Sequence, residues 1–287
     1  MAALDETGLA ANTHLIYTSD HGDNVGARGL WGKSTLYEES VKVPMILTGP
    51  DVRPCVCETP VDLIDLFPTI LQGVGIDPSP EMADRPGRSL FELADAPTEP
   101  ERPILSEYHA AGSNTAGFML RKGRWKYHYY VRHRPELFDL QADPEESCDL
   151  AENPASAATL RAMHAALLEI CDPEAMDRLA KDDQRAMIER FGGVEAASKL
   201  GAPAAARRRA ENDVMNERLA SDRPRRPNIL LITSDQHRYD CCWLRGPQDS
   251  HPFLDGLAAG ALLPRCGDHT ERAVPTGARP SSPGCCR

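Results

Sequence analysis

Residues 14–23 read HLIYTSDHGD, and residues 228–237 read NILLITSDQH. Each is a short run rich in Leu and β-branched residues that ends in Thr-Ser-Asp, with a His one or two places later. Five or six apolar residues in a row are the signature of a buried strand, most often in a parallel sheet. Carboxylates at the C-terminal ends of such strands stand where open α/β sheets hold their ligands. Asp20, His21 and Asp235 are therefore candidates for one shared polar site, and a hard divalent cation would explain why two strands deliver acids to the same edge. The alternative is that each Asp ends its strand and caps the turn or helix that follows.

Working outward, the 287 residues could hold one large α/β domain or two ordinary ones. A hydrophobic content of 41% with 26% charged residues fits a soluble globular class. The net charge of −11 leaves no basic excess to neutralise phosphates, which argues against a nucleic-acid partner. An anionic substrate would need a local cluster of cations, because the overall field repels it. No apolar stretch approaches the roughly 20 residues of a membrane span. MAALDETGLAAN lacks the features of a signal peptide, so a cytoplasmic location with free thiols is expected. Nine cysteines without regular spacing form neither a disulfide framework nor a zinc-ligand pattern.

The segment 37–40 reads as a short helix and Val43 to Leu47 as a strand stopped by Gly49-Pro50. Residues 61–73 space Val61, Leu63, Ile64, Phe67, Ile70 and Leu71 along one helical face, with Pro68 as a kink or restart. Residues 77–103, rich in proline, read as a surface connection. From 104 the pattern becomes short aromatic strands separated by turns, an antiparallel meander. Helices follow at 155–171, with Leu160, Met163, Leu167 and Leu168 on one stripe, then at 173–191 and 202–219. The tract 221–227 is a linker by composition, and a helix over 252–260 follows the second strand motif. Residues 261–287, rich in Pro, Gly, Arg and Cys, have no periodicity and are expected to be unstructured.

TSDHGDNVGARGLWGKSTLYEESVKVPMILTGP resembles a segment of sulfatases and phosphonate monoester hydrolases, and PVDLIDLFPTILQGVGI with GRSL resembles the stretch after it. GFMLRKGRWKYHYY and ELFDLQADPEESCDLAENP resemble the C-terminal subdomain, and SEYHAAGS is most similar to the choline-sulfatase branch. RPNILLITSDQHRYDC resembles the family's extreme N-terminus, here displaced behind the C-terminal half. Three origins would give that order: a circular rearrangement, a joining of neighbouring reading frames, or a frame slip near residue 260. The resemblance implies an alkaline-phosphatase-like α/β fold. Residues 1–103 would be the C-terminal part of a three-layer catalytic core and 104–200 an antiparallel-sheet subdomain. A helix and linker would occupy 201–227, the displaced strand and helix 228–260, and the tail 261–287.

The chemistry implied is hydrolysis of a small sulfuric or phosphonate ester with a divalent metal, Ca²⁺, Mn²⁺ or Mg²⁺, acting as Lewis acid. Asp20, His21 and Asp235 match metal-ligand positions. His21 stands where many sulfatases carry Asn; it resembles the phosphonate-hydrolase branch and tilts the preference toward Mn²⁺ or similar ions, while Gln236, where many carry Asp, points to the same branch and weakens a calcium site. Lys33 matches the lysine that contacts the sulfate and the leaving oxygen; its other reading is a solvated lysine. The family's nucleophile signature, Cys or Ser followed by x-Pro-x-Arg, is absent, and Cys57-Glu-Thr-Pro does not fit it. The competing expectation is therefore a non-catalytic remnant that binds metal or a partner, with an exposed half-core that favours self-association. Asp23 and Arg28 read as loop residues, and His14, His109, His128 and His237 as structural or surface groups. Tyr108 and His109 are weaker candidates to approach a substrate. Trp125, Tyr127, Tyr129 and Tyr130 read as core packing rather than an aromatic cage.

Overall fold

The apolar run after Asn12 folds as expected into strand β1, Thr13–Ser19, buried along its whole length. The computed structural model describes residues 2–109, 113–199, 227–234 and 262–264. Asp235, Gln236 and His237 lie outside the described residues, as do the helices expected at 202–219 and 252–260.

Strand β2 is Met45–Thr48 and β3 is Cys55–Cys57. The strand expected from Val43 starts two residues later, because Pro44 has no N–H to offer a ladder. Strand β8, Asn228–Ser234, pairs in parallel with β1, and the register runs from Thr13 opposite Asn228 to Ser19 opposite Ser234. The two Thr-Ser ends are thus level. Strand β2 pairs with β1 antiparallel, so this sheet is mixed. Residues 262–264 form the short strand β9 between β3 and β2, within the stretch expected to be an unstructured tail. Leu262-Leu263 is an apolar pair in an otherwise polar segment, and strand pairing satisfies its backbone groups. The order across the sheet is β3-β9-β2-β1-β8.

The helices of this half are α1, Ala2–Glu6, α2, Glu38–Val41, α3, Leu66–Gly73, α4, Pro80–Ala83, and α5, Leu90–Asp95. Pro68 falls in the first turn of α3, where no N–H is needed, and the helix restarts there after a separate 3-10 turn at Leu63–Asp65. Ile64 and Phe67 are exposed, whereas Val61, Leu63, Leu66 and Ile70 pack on Ile16, Met45 and Leu47. The proline-rich 77–103 is more than a connection. Leu90 and Leu93 of α5 are buried in this core, and Ser89 caps the helix by accepting the Phe91 N–H.

The second sheet is the expected meander of β4, Ile104–Tyr108, β5, Gly117–Lys122, β6, Trp125–Tyr130, and β7, Glu136–Asp139. All three pairings are antiparallel between sequence neighbours. One face carries Phe118, Leu120, Tyr127 and Leu137 against Met163 and Leu167 of α6, Ala157–Ile170. Leu168, read as part of that stripe, is half-exposed. The 100° step per residue carries it past the contact. Helix α7 is Pro173–Arg190, capped by Asp172, and α8 is Val194–Lys199. Asp177 reaches from α7 to accept the buried Ala116 N–H. Among the described residues no helix is long and apolar enough to cross a membrane.

Candidate active site

The C-terminal end of β1 opens onto a loop, residues 20–37, that is pinned at many points. Ser19 is fully buried, and its hydroxyl lies 2.7 Å from the Ser234 carbonyl and 2.9 Å from that of His21. That contact ties the start of the loop to the parallel neighbour strand. Asp23 accepts the N–H groups of Val25 and Gly32, so it organises the loop rather than facing a ligand. Arg28 bonds Glu39 and stacks 4.2 Å over the Tyr37 ring. Both therefore serve the loop's own structure.

His21 and Asp20 form the chemical centre of this edge. His21 Nδ1 is 2.7 Å from the Gly22 carbonyl, which can only accept, so Nδ1 carries a proton. His21 Nε2 stands 3.0 Å from Asp20 Oδ2. A carboxylate oxygen and a ring nitrogen at that spacing are joined by positive charge, either a proton on the ring or a cation held between them. One positive group is already there, since the Lys33 ammonium contacts His21 Nε2. The spacing also fits a metal: adjacent ligands of an octahedral ion with bonds of 2.0–2.1 Å are about 3 Å apart. Asp20 is more than half exposed and can reach an ion. A carboxylate oxygen and an imidazole nitrogen are both donors that a divalent cation can accept. Among the described residues no group of three His, Cys, Asp or Glu side chains stands at metal-binding spacing. The expected third ligand, Asp235, lies outside them.

These groups line an open cleft of ≈ 300 Å³ between the two sheets. Asp20, His21 and Lys33 form its polar end, and Leu36, Val43, Ile104 and Met119 supply apolar wall. Glu107 and Tyr108 close it from the second sheet, and the Tyr108 hydroxyl donates to Ser34 Oγ at 2.9 Å. Tyr108 thus borders the cleft. His109 does not: it pairs with Glu107 and packs edge-on against Phe118. Sequence reading missed Glu107, Asp62 and Ser40 as lining groups. Burial raises the Asp62 carboxyl, which caps the turn at 63–65. The run YEES pointed at a helix but gave no sign that Ser40 turns inward.

The remaining candidates fall elsewhere. Cys57 sits on β3, separated from β1 by β9 and β2, where burial pushes its thiol up and it points at the Leu93 carbonyl. It is a core residue and not a nucleophile for this cleft. His14 is buried edge-on against Phe91, and His128 is fully buried beside Glu136. Tyr127 hydrogen-bonds His164, Tyr129 pairs with Glu174, and Tyr130 contacts Glu136, so these aromatics are packing groups.

Residues 1–76 match the Sulfatase family model. The chain is 36% identical over 184 residues to the choline-sulfatase of Rhizobium meliloti (strain 1021), covering 63% of this chain and 36% of that protein. It is 37% identical over 161 residues to arylsulfatase K of Mus musculus, covering 52% and 29% respectively. Among solved structures, the phosphonate monoester hydrolase SpPMH from Silicibacter pomeroyi superposes with a TM-score of 0.52 at 31% identity, over 58% of this chain and 36% of that one. A 2-O GAG sulfatase gives 0.50 at 31% identity, over 64% and 40%. The chain spans about a third of the length of the curated relatives it matches. It therefore carries a sulfatase-family segment, built on the alkaline-phosphatase-like α/β fold that sulfatases share with phosphonate monoester hydrolases.

Proposed function

We propose that this chain supplies the metal- and lysine-bearing part of an active site for hydrolysis of small sulfuric esters, with phosphonate esters as the second substrate class. The observation that carries the reading is the close grouping of Asp20, His21 and Lys33 at the polar end of a cleft. Asp20 and His21 would hold a divalent ion together with Asp235. The level register of β1 and β8 supports that third ligand, since Asp235 follows Ser234 directly. When bound, the ion supplies Lewis-acid polarisation of the ester's non-bridging oxygens. Lys33 presents a point charge to the same anion and can give a proton to the leaving oxygen. The apolar wall and Tyr108 would seat the organic part of the ester. The similarity to choline-sulfatase supports sulfate esters as the class.

The absence of Cys or Ser followed by x-Pro-x-Arg favours a second reading, in which the chain binds metal and anion without turning them over. The segment boundaries read from the sequence, a core part to 103 and a subdomain to 200, belong to the same proposal. So do the absence of a nucleic-acid partner and a tendency to self-associate.

Two measurements test it. Titration calorimetry with Mn²⁺, Ca²⁺ and Mg²⁺ should show binding that Asp20→Ala abolishes. Assays on an aryl sulfate and an aryl phosphonate should show turnover lost in both Asp20→Ala and Lys33→Ala. Metal binding without turnover selects the second reading, and no binding by the wild type refutes both.

A further inference from the structure

Helix α2 begins with a backbone N–H whose partner is far away in the chain. The Glu38 N–H donates to Glu146 Oε2 at 2.7 Å. Glu146 Oε1 is in turn in ionic contact with Lys126 Nζ at 2.8 Å, and both side chains are fully buried. The same ammonium donates to Glu38 Oε1 at 2.8 Å. Glu146 keeps a φ of +48°, a left-handed conformation that a non-glycine residue retains only where its surroundings over-determine it. The Arg28 guanidinium lies 3.8 Å from Glu146 and bonds Glu39. At the other end of the helix, the buried Ser40 grips the site loop twice. Its Oγ donates to the Lys33 carbonyl at 2.5 Å, and its own carbonyl accepts the Gly22 N–H at 2.8 Å. A single helical turn thus brackets the loop that runs from His21 to Lys33. One turn is too short to persist on its own propensity, so its placement comes from what holds it.

Resting on the metal- and anion-binding reading above, we infer that Glu146 is a positioning residue. By accepting the Glu38 N–H, it fixes Ser40, and through Ser40 the separation of His21 from Lys33. The role belongs to the acceptor oxygen and not to the charge as such. A merely structural ion pair would instead loosen both sheets alike when its charge is removed.

Two variants of the full chain separate these roles. Glu146→Gln keeps an oxygen for the Glu38 N–H and drops the charge, whereas Glu146→Met keeps the volume and drops the acceptor. Amide hydrogen exchange followed by NMR should show Gly22 exchanging roughly tenfold or more faster in Glu146→Met and within about twofold of wild type in Glu146→Gln, with the amides of β5 and β6 alike in the two variants. An unchanged Gly22 in Glu146→Met, or equal acceleration in both variants, overturns the inference. If Glu146→Met does not fold, Lys126→Met/Glu146→Met, free of the stranded ammonium, makes the same comparison. A parallel Mn²⁺ titration should weaken in step with Gly22. Wild-type protein that binds no Mn²⁺ refutes the metal reading, while the exchange data still decide the role of Glu146.

Discussion

Replacing His128 by Asn would remove a titrating group from the buried cluster while leaving an amide to donate to Glu136. His128 is fully buried on β6, with Nδ1 3.0 Å from Glu136 Oε2 and Nε2 3.8 Å from Glu146 Oε1. Burial, opposed by Glu136 and Glu38 and helped by the Lys126 ammonium, pushes its pKa down to about 4 from 6.5. The unfolded chain therefore takes up a proton between pH 6.5 and 4 that the folded chain refuses, and stability falls as pH drops through that window. The difference of about 2.5 units corresponds to about 3 kcal/mol in full, of which about 2 kcal/mol is lost by pH 5. The neighbours act lower. Burial raises Glu38 and Glu136, but Lys126 and Lys42 outweigh it for Glu38, and His128, Tyr37 and Tyr130 for Glu136, so both are lowered and their support is lost only below about pH 4.5. Glu146, raised by burial, gains stability on acidification and works against them. Urea unfolding at pH 7, 6 and 5 should show wild type losing about 2 kcal/mol more than His128→Asn over that span. Equal losses in the two proteins would refute the claim that a neutral imidazole is buried there.

Two further outcomes follow. Asp65, fully buried, accepts two bonds from Arg102 and the N–H groups of Asp62 and Arg88. Asp65→Ala should cost about 3–5 kcal/mol in denaturant unfolding, because it strands a guanidinium and two amides. Mn²⁺ at about one hundred times its dissociation constant should stabilise the wild type by about 2.7 kcal/mol in thermal unfolding. That gain should vanish with a chelator and be missing in Asp20→Ala.

How much of this was legible depended on whether the signal was local. The apolar runs ending in Thr-Ser-Asp announced β1 and β8, and their likeness announced the pairing, but β8 is the edge strand among those described and its Leu230, Leu231 and Ile232 are exposed rather than buried as expected. The aromatic meander was equally plain, since turns such as Lys122-Gly123 punctuate it. What was hidden was tertiary. Leu90 and Leu93 look like stray apolar residues in a proline-rich connection until α5 is docked on β3 and α3. The burial of Lys126, Glu146 and His128 runs against composition and needs partners from four separate segments. Asp20 and His21 could be named from their place at a strand end and Lys33 from the family resemblance, whereas Ser40, Glu107 and Asp62 enter the cleft only through packing.

The parallel pairing of β1 with β8 sets a demanding order of events in folding. The hydrogen bond between Ser19 and Ser234 spans 215 positions, and closing a flexible segment of that length costs about 5 kcal/mol of chain entropy. Pairings so remote slow the search for the native topology. On the ribosome, β1 is made before β8 and must wait for it, with Leu15, Ile16 and Tyr17 lacking that neighbour in the meantime. The delay makes the nascent sheet a natural client for chaperones and the step at which expression in a heterologous host is most exposed to aggregation.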